Sequence, residues 1–196
     1  MKKKLLSLLL VLLMLASLLP ASALAANKTF GDFFAGLPLI AETEPGSPNS
    51  TKKWKVTTLD GEDVLMSGNK GQSYASSTLQ LTITADTNLS FEYKVSTEEK
   101  YDKLTIKQGS TTLVDGVSGV IDWTRLEIDA KSGDVITIVY KKDSSSDKND
   151  DCIYVRGFSA GAPTIITLHA NNGTDETATQ NILTATDIRR PSTTKP

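Results

Sequence analysis

The sequence predicts an all-β protein: an antiparallel jelly-roll β-sandwich with a short C-terminal β-hairpin or partly disordered tail. Three observations lead to it. From residue 51 onward apolar residues recur with period two, as in Leu79, Leu81 and Ile83 of TLQLTIT and in Leu89, Phe91, Tyr93 and Val95 of LSFEYKV. That spacing sets one face of each strand against a core and the other against water. The runs are separated by ADTN, KQGS, KSGD and DSSSDKNDD, all turn chemistry. Short strands recurring about every 8 to 12 residues are the pattern of sandwiches and jelly rolls.

Residues 1–25 read as a signal peptide: three lysines, an apolar run from Leu5 to Leu19, then small residues ending Ala23-Leu24-Ala25, with cleavage expected after Ala25. The run is shorter than the roughly 20 residues of a membrane span, and no second one follows, so no span is expected after cleavage. The mature chain is expected to be secreted, extracellular or associated with a cell surface. Residues 26–50 form an N-terminal strand and loop region. A weak helical case at FGDFFAGLPL is interrupted by Pro38, and AETEPGSPNSTKK, with two prolines and a glycine, is a loop.

Residues 51–162 form the sandwich. Its further strands are expected in KWKVTTL, KLTIKQ, TTLVDG, TRLEID, DVITIVYKK and CIYVRGF. On the strand from Leu89 to Val95 the apolar set faces inward, so Glu92 and Lys94 face outward; Glu98 and Glu99 fall in the connection STEEK. The character changes near Gly161-Ala162-Pro163, and residues 163–196 stand apart.

Composition narrows the function classes. The formal charge is −2 over 196 residues, and loss of Lys2, Lys3 and Lys4 with the signal peptide takes it to −5. A mildly acidic chain without a basic stripe is not expected to bind nucleic acid. Cys152 is the sole cysteine, so no intramolecular disulfide forms; beside Ile153 it reads as a small buried apolar residue. A monomer is expected.

Two segments carry resemblances. LSFEYKVSTEEKYDKLTI, followed by SGVIDW and then YKKDSSSDKNDDCIYVRGFSA, resembles a jelly-roll module, loosely MAM-like, that recurs in large surface proteins of gut-type Firmicutes. It covers about residues 50 to 160. After Pro163, TIITLHANNGTDETATQN resembles the opening of a Listeria-Bacteroides repeat, a small β-grasp-like unit of internalin-related surface proteins. Asn171, Asn172, Gly173, Thr174 and Gln180 fit that opening, while the closing aromatic motif is absent. The resemblance therefore implies a truncated repeat behind a surface-protein module, and extracellular binding or adhesion.

Catalytic constellations are not expected. The sole histidine, His169, falls in the incomplete repeat, away from Cys152. The Glu-x-Asp-x-x-Glu strand of jelly-roll glycosidases has no counterpart, since Glu92 is followed two residues on by Lys94. DKNDD places Asp147, Asn149 and Asp151 at the start of an EF-hand spacing, but Cys152 stands at position six and Phe158 at position twelve, which rejects that motif. A Ca2+ site built across loops, with Asp143, Asp147, Asp150 and Asp151 as donors, stays open beside an ordinary solvated loop.

Carbohydrate recognition is open on the aromatic residues Tyr101, Trp123, Trp54, Tyr74 and Tyr154. Trp123 is expected to pack in the core or at a sheet end. Tyr101, Asp102 and Tyr154 are the expected ligand-binding residues, on loops around Tyr101-Asp102 and Asp143 to Asp151. The chain thus reads as a secreted, non-catalytic β-sandwich binding module whose partner is a glycan or a host or cell-surface protein. A structural spacer without a ligand is the alternative, and a glycan-active enzyme a third.

Overall fold

The computed structural model describes residues 28–144, 147–161, 164–169 and 177–182. The signal-peptide reading and the Asn171 to Thr174 part of the repeat lie outside them. Strands β1 (Leu39–Thr43), β4 (Ser76–Ile83), β9 (Val135–Lys141), β6 (Lys103–Gln108) and β7 (Thr111–Val117) form one antiparallel sheet in that order. A second takes β2 (Lys55–Leu59), β3 (Glu62–Met66), β10 (Cys152–Gly161), β5 (Thr87–Ser96) and β8 (Val120–Ala130). The chain changes sheet at every connection from β1 to β10 except β2 to β3 and β6 to β7. This is the jelly-roll sandwich the alternation predicts. β11 (Thr164–His169) and β12 (Thr177–Ile182) pair with each other antiparallel, Thr164 opposite Ile182.

Between the sheets lies one apolar core. Leu79, Leu81, Ile136, Ile138, Leu104 and Ile106 enter it from one side, and Leu89, Phe91, Val95, Ile153 and Val155 from the other. Each such side chain contributes on the order of 1.5–3 kcal/mol by leaving water. Residues 30–34 close one edge: a single 3₁₀ turn at Gly31–Phe33 replaces the weak helix of the sequence reading and delivers Phe33 and Phe34 to the core. In β10 the register slips between Arg156 and Ser159, where Gly157 has φ +65°. The extra residue reverses the alternation. Arg156 therefore points outward while Phe158 turns in, its ring centroid 4.8 Å from Phe34 and 5.1 Å from Phe91.

One strand escapes the sequence reading, and another falls within the region read only as strand and loop. β1 lies within the N-terminal region and pairs with β4, so the sandwich begins before residue 51. β3 was hidden because Val64 and Leu65 are adjacent and both fully buried: Leu65 enters the main core, and Val64 joins a smaller cluster with Cys152 and Tyr154. Its signal was the dipeptide Asp60-Gly61, both at positive φ, joining β2 to β3 where Leu59 faces Glu62. Among the described residues no helix is long and apolar enough to cross a membrane.

Gly68, just after β3, has no room for a side chain. A Cβ there would overlap the backbone carbonyls of Lys52 and Lys53, while its N–H donates to Ser77 Oγ at 2.9 Å. Gly68→Ala is expected to destabilise the protein by about 1–3 kcal/mol or more. Gly31→Ala, whose Cβ would meet only Thr29 Oγ1 at 3.9 Å, should stay within about 0.5 kcal/mol of the parent. Urea denaturation of both variants checks the contrast.

Candidate functional site

At one end of the sandwich three connections meet: residues 67–75 between β3 and β4, 97–102 between β5 and β6, and 142–151 between β9 and β10. Each is polar, as turn segments are, yet they are tied together rather than left to solvent. Gly71 N donates to Asp151 Oδ2 at 2.7 Å, Tyr74 N to the Asp143 carbonyl at 2.7 Å, Asp143 N to Asp102 Oδ1 at 2.9 Å, and Asn149 Nδ2 to the Thr97 carbonyl at 2.7 Å. Asn69 Nδ2 bridges the carbonyls of Ala75 and Tyr140 at 3.0 and 3.1 Å.

Beneath these loops lies Lys142, whose side chain is fully buried. Its ammonium is 3.6 Å from Asp102 Oδ2, 3.0 Å from Asp147 Oδ1 and in hydrogen-bond contact with Asp151 Oδ1. The Tyr140 hydroxyl donates to Asp151 at 3.1 Å and approaches Asp102 at 3.4 Å. Burial opposes the charge on Lys142, but hydrogen bonds to Asp151 and Asp147 and the fields of Asp151 and Asp102 outweigh it, holding its pKa above the ordinary lysine value. Asp102 moves the opposite way for a carboxylate: burial raises its pKa against the hydrogen bond from Asp143 N and the field of Lys142. The Lys142 hydrogen bond lowers that of Asp147. Burial also raises the Tyr140 phenol well above its usual value.

Above this cluster the loops frame an open groove of about 460 Å³. Tyr74 and Tyr101 stand at its walls, 78% and 57% exposed, and Lys100, Lys103, Lys141 and Asp143 line it with the stem of Lys142. Tyr74 has φ 56° and Lys100 φ 75°. A bulky residue at positive φ is a strained conformer, costing on the order of 1–3 kcal/mol, that persists only where its surroundings impose it. The Tyr74 N–H bond to Asp143 and the 2.8 Å bond from Lys100 N to Ser118 Oγ do so. Of the six non-glycine residues at positive φ among the described residues, Tyr74, Lys100, Asn149 and Asp151 belong to this end of the sandwich.

The residues singled out from sequence are thereby sorted. Tyr101 is exposed on the groove wall. Asp102, expected to face a ligand beside it, is instead fully buried, because it neutralises Lys142 and accepts from Asp143 N. Tyr154, also expected at a binding surface, is buried on the outer face of the second sheet with Val64 and Cys152, packed against Met66 and Trp123. Trp123 is half-buried there beneath the Arg156 guanidinium, 4.1 Å from its ring centroid. Trp54 is a core residue.

The four aspartates considered for Ca2+ do not form an oxygen cage. Asp147 and Asp151 converge on Lys142 Nζ, a cation already supplied by the chain. Asp150 accepts from Ser96 Oγ at 2.8 Å, and Asp143 lines the groove. Among the described residues no group of three or more His, Cys, Asp or Glu side chains could hold a metal ion. The sequence reading missed Lys142 because an exposed Lys141-Lys142 pair beside a polar loop looks solvated; the one available signal was its place two residues after Tyr140 on the inward face of β9.

No family model matches the chain, and no curated protein matches it. Among solved structures it is similar to the secreted serine protease VesC from Vibrio cholerae, at 18% identity and TM-score 0.49, over 69% of this chain and 27% of that one. It is also similar to TmCBM61, determined in complex with β-1,4-galactotriose, at 15% identity and TM-score 0.37, over 69% of this chain and 95% of that one. A structure described as CBM4 structure and function aligns at 12% identity and TM-score 0.31, over 69% and 92%. Likenesses of this degree assign neither ligand nor reaction.

Removing Lys142 would leave Asp102 and Asp151 buried together without a counter-charge. Lys142→Met is expected to cost about 3–5 kcal/mol at neutral pH and to recover part of that as pH falls through the carboxylate range and the acids are neutralised. In the parent protein the folded pKa of Lys142 lies above its unfolded 10.5. Its contribution is therefore complete below about pH 10.5 and is lost as pH rises through the folded value. Urea titrations across pH check both signs.

Proposed function

We propose that this β-sandwich is a non-catalytic carbohydrate-binding module that acts outside the cell and takes saccharide in the groove that Tyr74 and Tyr101 line. The supporting observation is the pair of exposed tyrosines that line one groove above a buried, hydrogen-bonded ion cluster. A pyranose presents C–H faces that a flat aromatic ring can shield from water, and its hydroxyls suit the polar atoms around it. Strain at Tyr74 favours the same reading, since a ring held in solvent by an unfavourable backbone conformer stabilises nothing in the free protein. The signal-peptide pattern of residues 1–25 supports secretion, and adhesion to a glycan-bearing surface is the role that follows.

The absence of catalysis in this proposal rests on the state of the candidate groups. Asp102 and Asp151 are committed to Lys142 and lie beneath the groove floor. The Cys152 thiol, on the other sheet's outer cluster, is buried, and burial pushes its pKa up to about 11, so little thiolate is present at neutral pH.

Affinity electrophoresis of the full chain through gels containing individual polysaccharides tests the proposal. Retardation by one of them should drop about tenfold in affinity with Tyr74→Ala and again with Tyr101→Ala, each ring being worth roughly 1–2 kcal/mol. Trp123→Ala, on the opposite sheet, should leave it unchanged. EDTA should have no effect, because the ammonium of Lys142 already fills the acidic cluster. Unaltered binding in the double tyrosine variant would refute the site.

A further inference from the structure

Resting on that reading, we infer that the saccharide is anionic, bearing uronate carboxylates or sulfate esters that face Lys100, Lys103 and Lys141. The three side chains are exposed on the groove wall. Among the described residues none has a carboxylate within salt-bridge distance, whereas Lys94, Lys131, Lys142 and Lys148 each have one. Asp143 is the single acid lining the groove, and Lys142 is neutralised from below, so the lining carries three ammonium groups against one carboxylate. This surplus occurs on a chain whose formal charge is negative.

The sheet register makes the surplus costly. Lys103 of β6 lies directly opposite Lys141 of β9. Like charges facing each other across an antiparallel pair are destabilising. A neutral or acidic residue at either position would relieve the repulsion without disturbing the core, since the inward neighbours Leu104 and Tyr140 are fully buried on the other face. The backbone of Lys100 is held at positive φ, which fixes the stem from which the third ammonium reaches the same space. Three cations without a salt-bridge partner, in a groove that two exposed aromatic residues also line, suit a ligand whose repeating units carry both a sugar face and a negative charge. Lysine acts here as a point charge, so carboxylate and sulfate are both accommodated.

The test uses the full chain in affinity electrophoresis or calorimetry with paired probes: polygalacturonate against its methyl ester, and dextran sulfate against dextran. The expected result is binding to at least one acidic member at least about tenfold tighter than to its neutral partner. That preference should shrink as salt rises from about 20 mM to about 0.5 M and screening shortens the reach of the charges. Polygalacturonate preference assigns a carboxylate and dextran sulfate preference a sulfate. The triple variant Lys100→Gln, Lys103→Gln, Lys141→Gln should erase the preference while keeping the parent's circular dichroism. Equal binding to both members of each pair, still lost with Tyr74→Ala and Tyr101→Ala, overturns the anionic inference and leaves the carbohydrate reading standing. Binding of polyphosphate as tight as that of the acidic saccharides, insensitive to the tyrosine substitutions, overturns it as generic polyanion capture. No binding to any saccharide overturns both.

Discussion

The ammonium of Lys142, buried against Asp102, Asp151 and Asp147, is the interaction on which the loop end of this sandwich depends. Placing a charge inside a protein costs several kcal/mol in lost hydration, and only well-placed opposite charges with their remaining lone pairs satisfied offset it. Here the compensation is distributed over three loops. Asp102 comes from the β5–β6 connection and Asp147 and Asp151 from the β9–β10 connection, while Gly71 of the β3–β4 connection donates to Asp151 and Asp143 N donates to Asp102. None of these loops has enough apolar surface to pack on its own. A shared ion cluster holds them where a hydrophobic core cannot reach, and it does so with geometric specificity that apolar packing would lack.

The arrangement explains why a segment rich in aspartate is not a calcium loop. A cation is needed where the carboxylates converge, and Lys142, the residue after β9, supplies one beside the Tyr140 hydroxyl, which donates to Asp151 and lies 3.4 Å from Asp102. With the acids committed downward, the upper surface is left to lysines and tyrosines. The local charge of the groove is therefore opposite to that of the chain as a whole, a consequence of which carboxylates are buried rather than of composition. The backbone strain at Tyr74, Lys100, Asn149 and Asp151 concentrates at this same end, where the ion cluster and loop hydrogen bonds can enforce it.

The two sheets also divide their outer faces differently. The β2-β3-β10-β5-β8 sheet covers its face with Val64, Cys152, Tyr154 and Trp123, over which Arg156 lies, bound in turn to Glu92 and Glu62. That face is closed by its own side chains. At the loop end beside the β1-β4-β9-β6-β7 sheet, Tyr74 and Tyr101 stay uncovered.

The sequence by itself determined the fold class and the inward set of eight strands, because period-two alternation is a local property and burial follows from it residue by residue. It was silent where two adjacent residues enter different cores, as Val64 and Leu65 do in β3, and it set no bounds for the short edge strand β1 within a strand and loop region. Tyr101 was legible as a turn aromatic. Asp102, its neighbour, was not: whether a turn carboxylate faces solvent or a buried ammonium depends on a lysine forty residues away. That pairing, the groove above it and the lysines left without acids were decided only by tertiary structure, since electrostatic compensation is settled by distances between loops that no local pattern records.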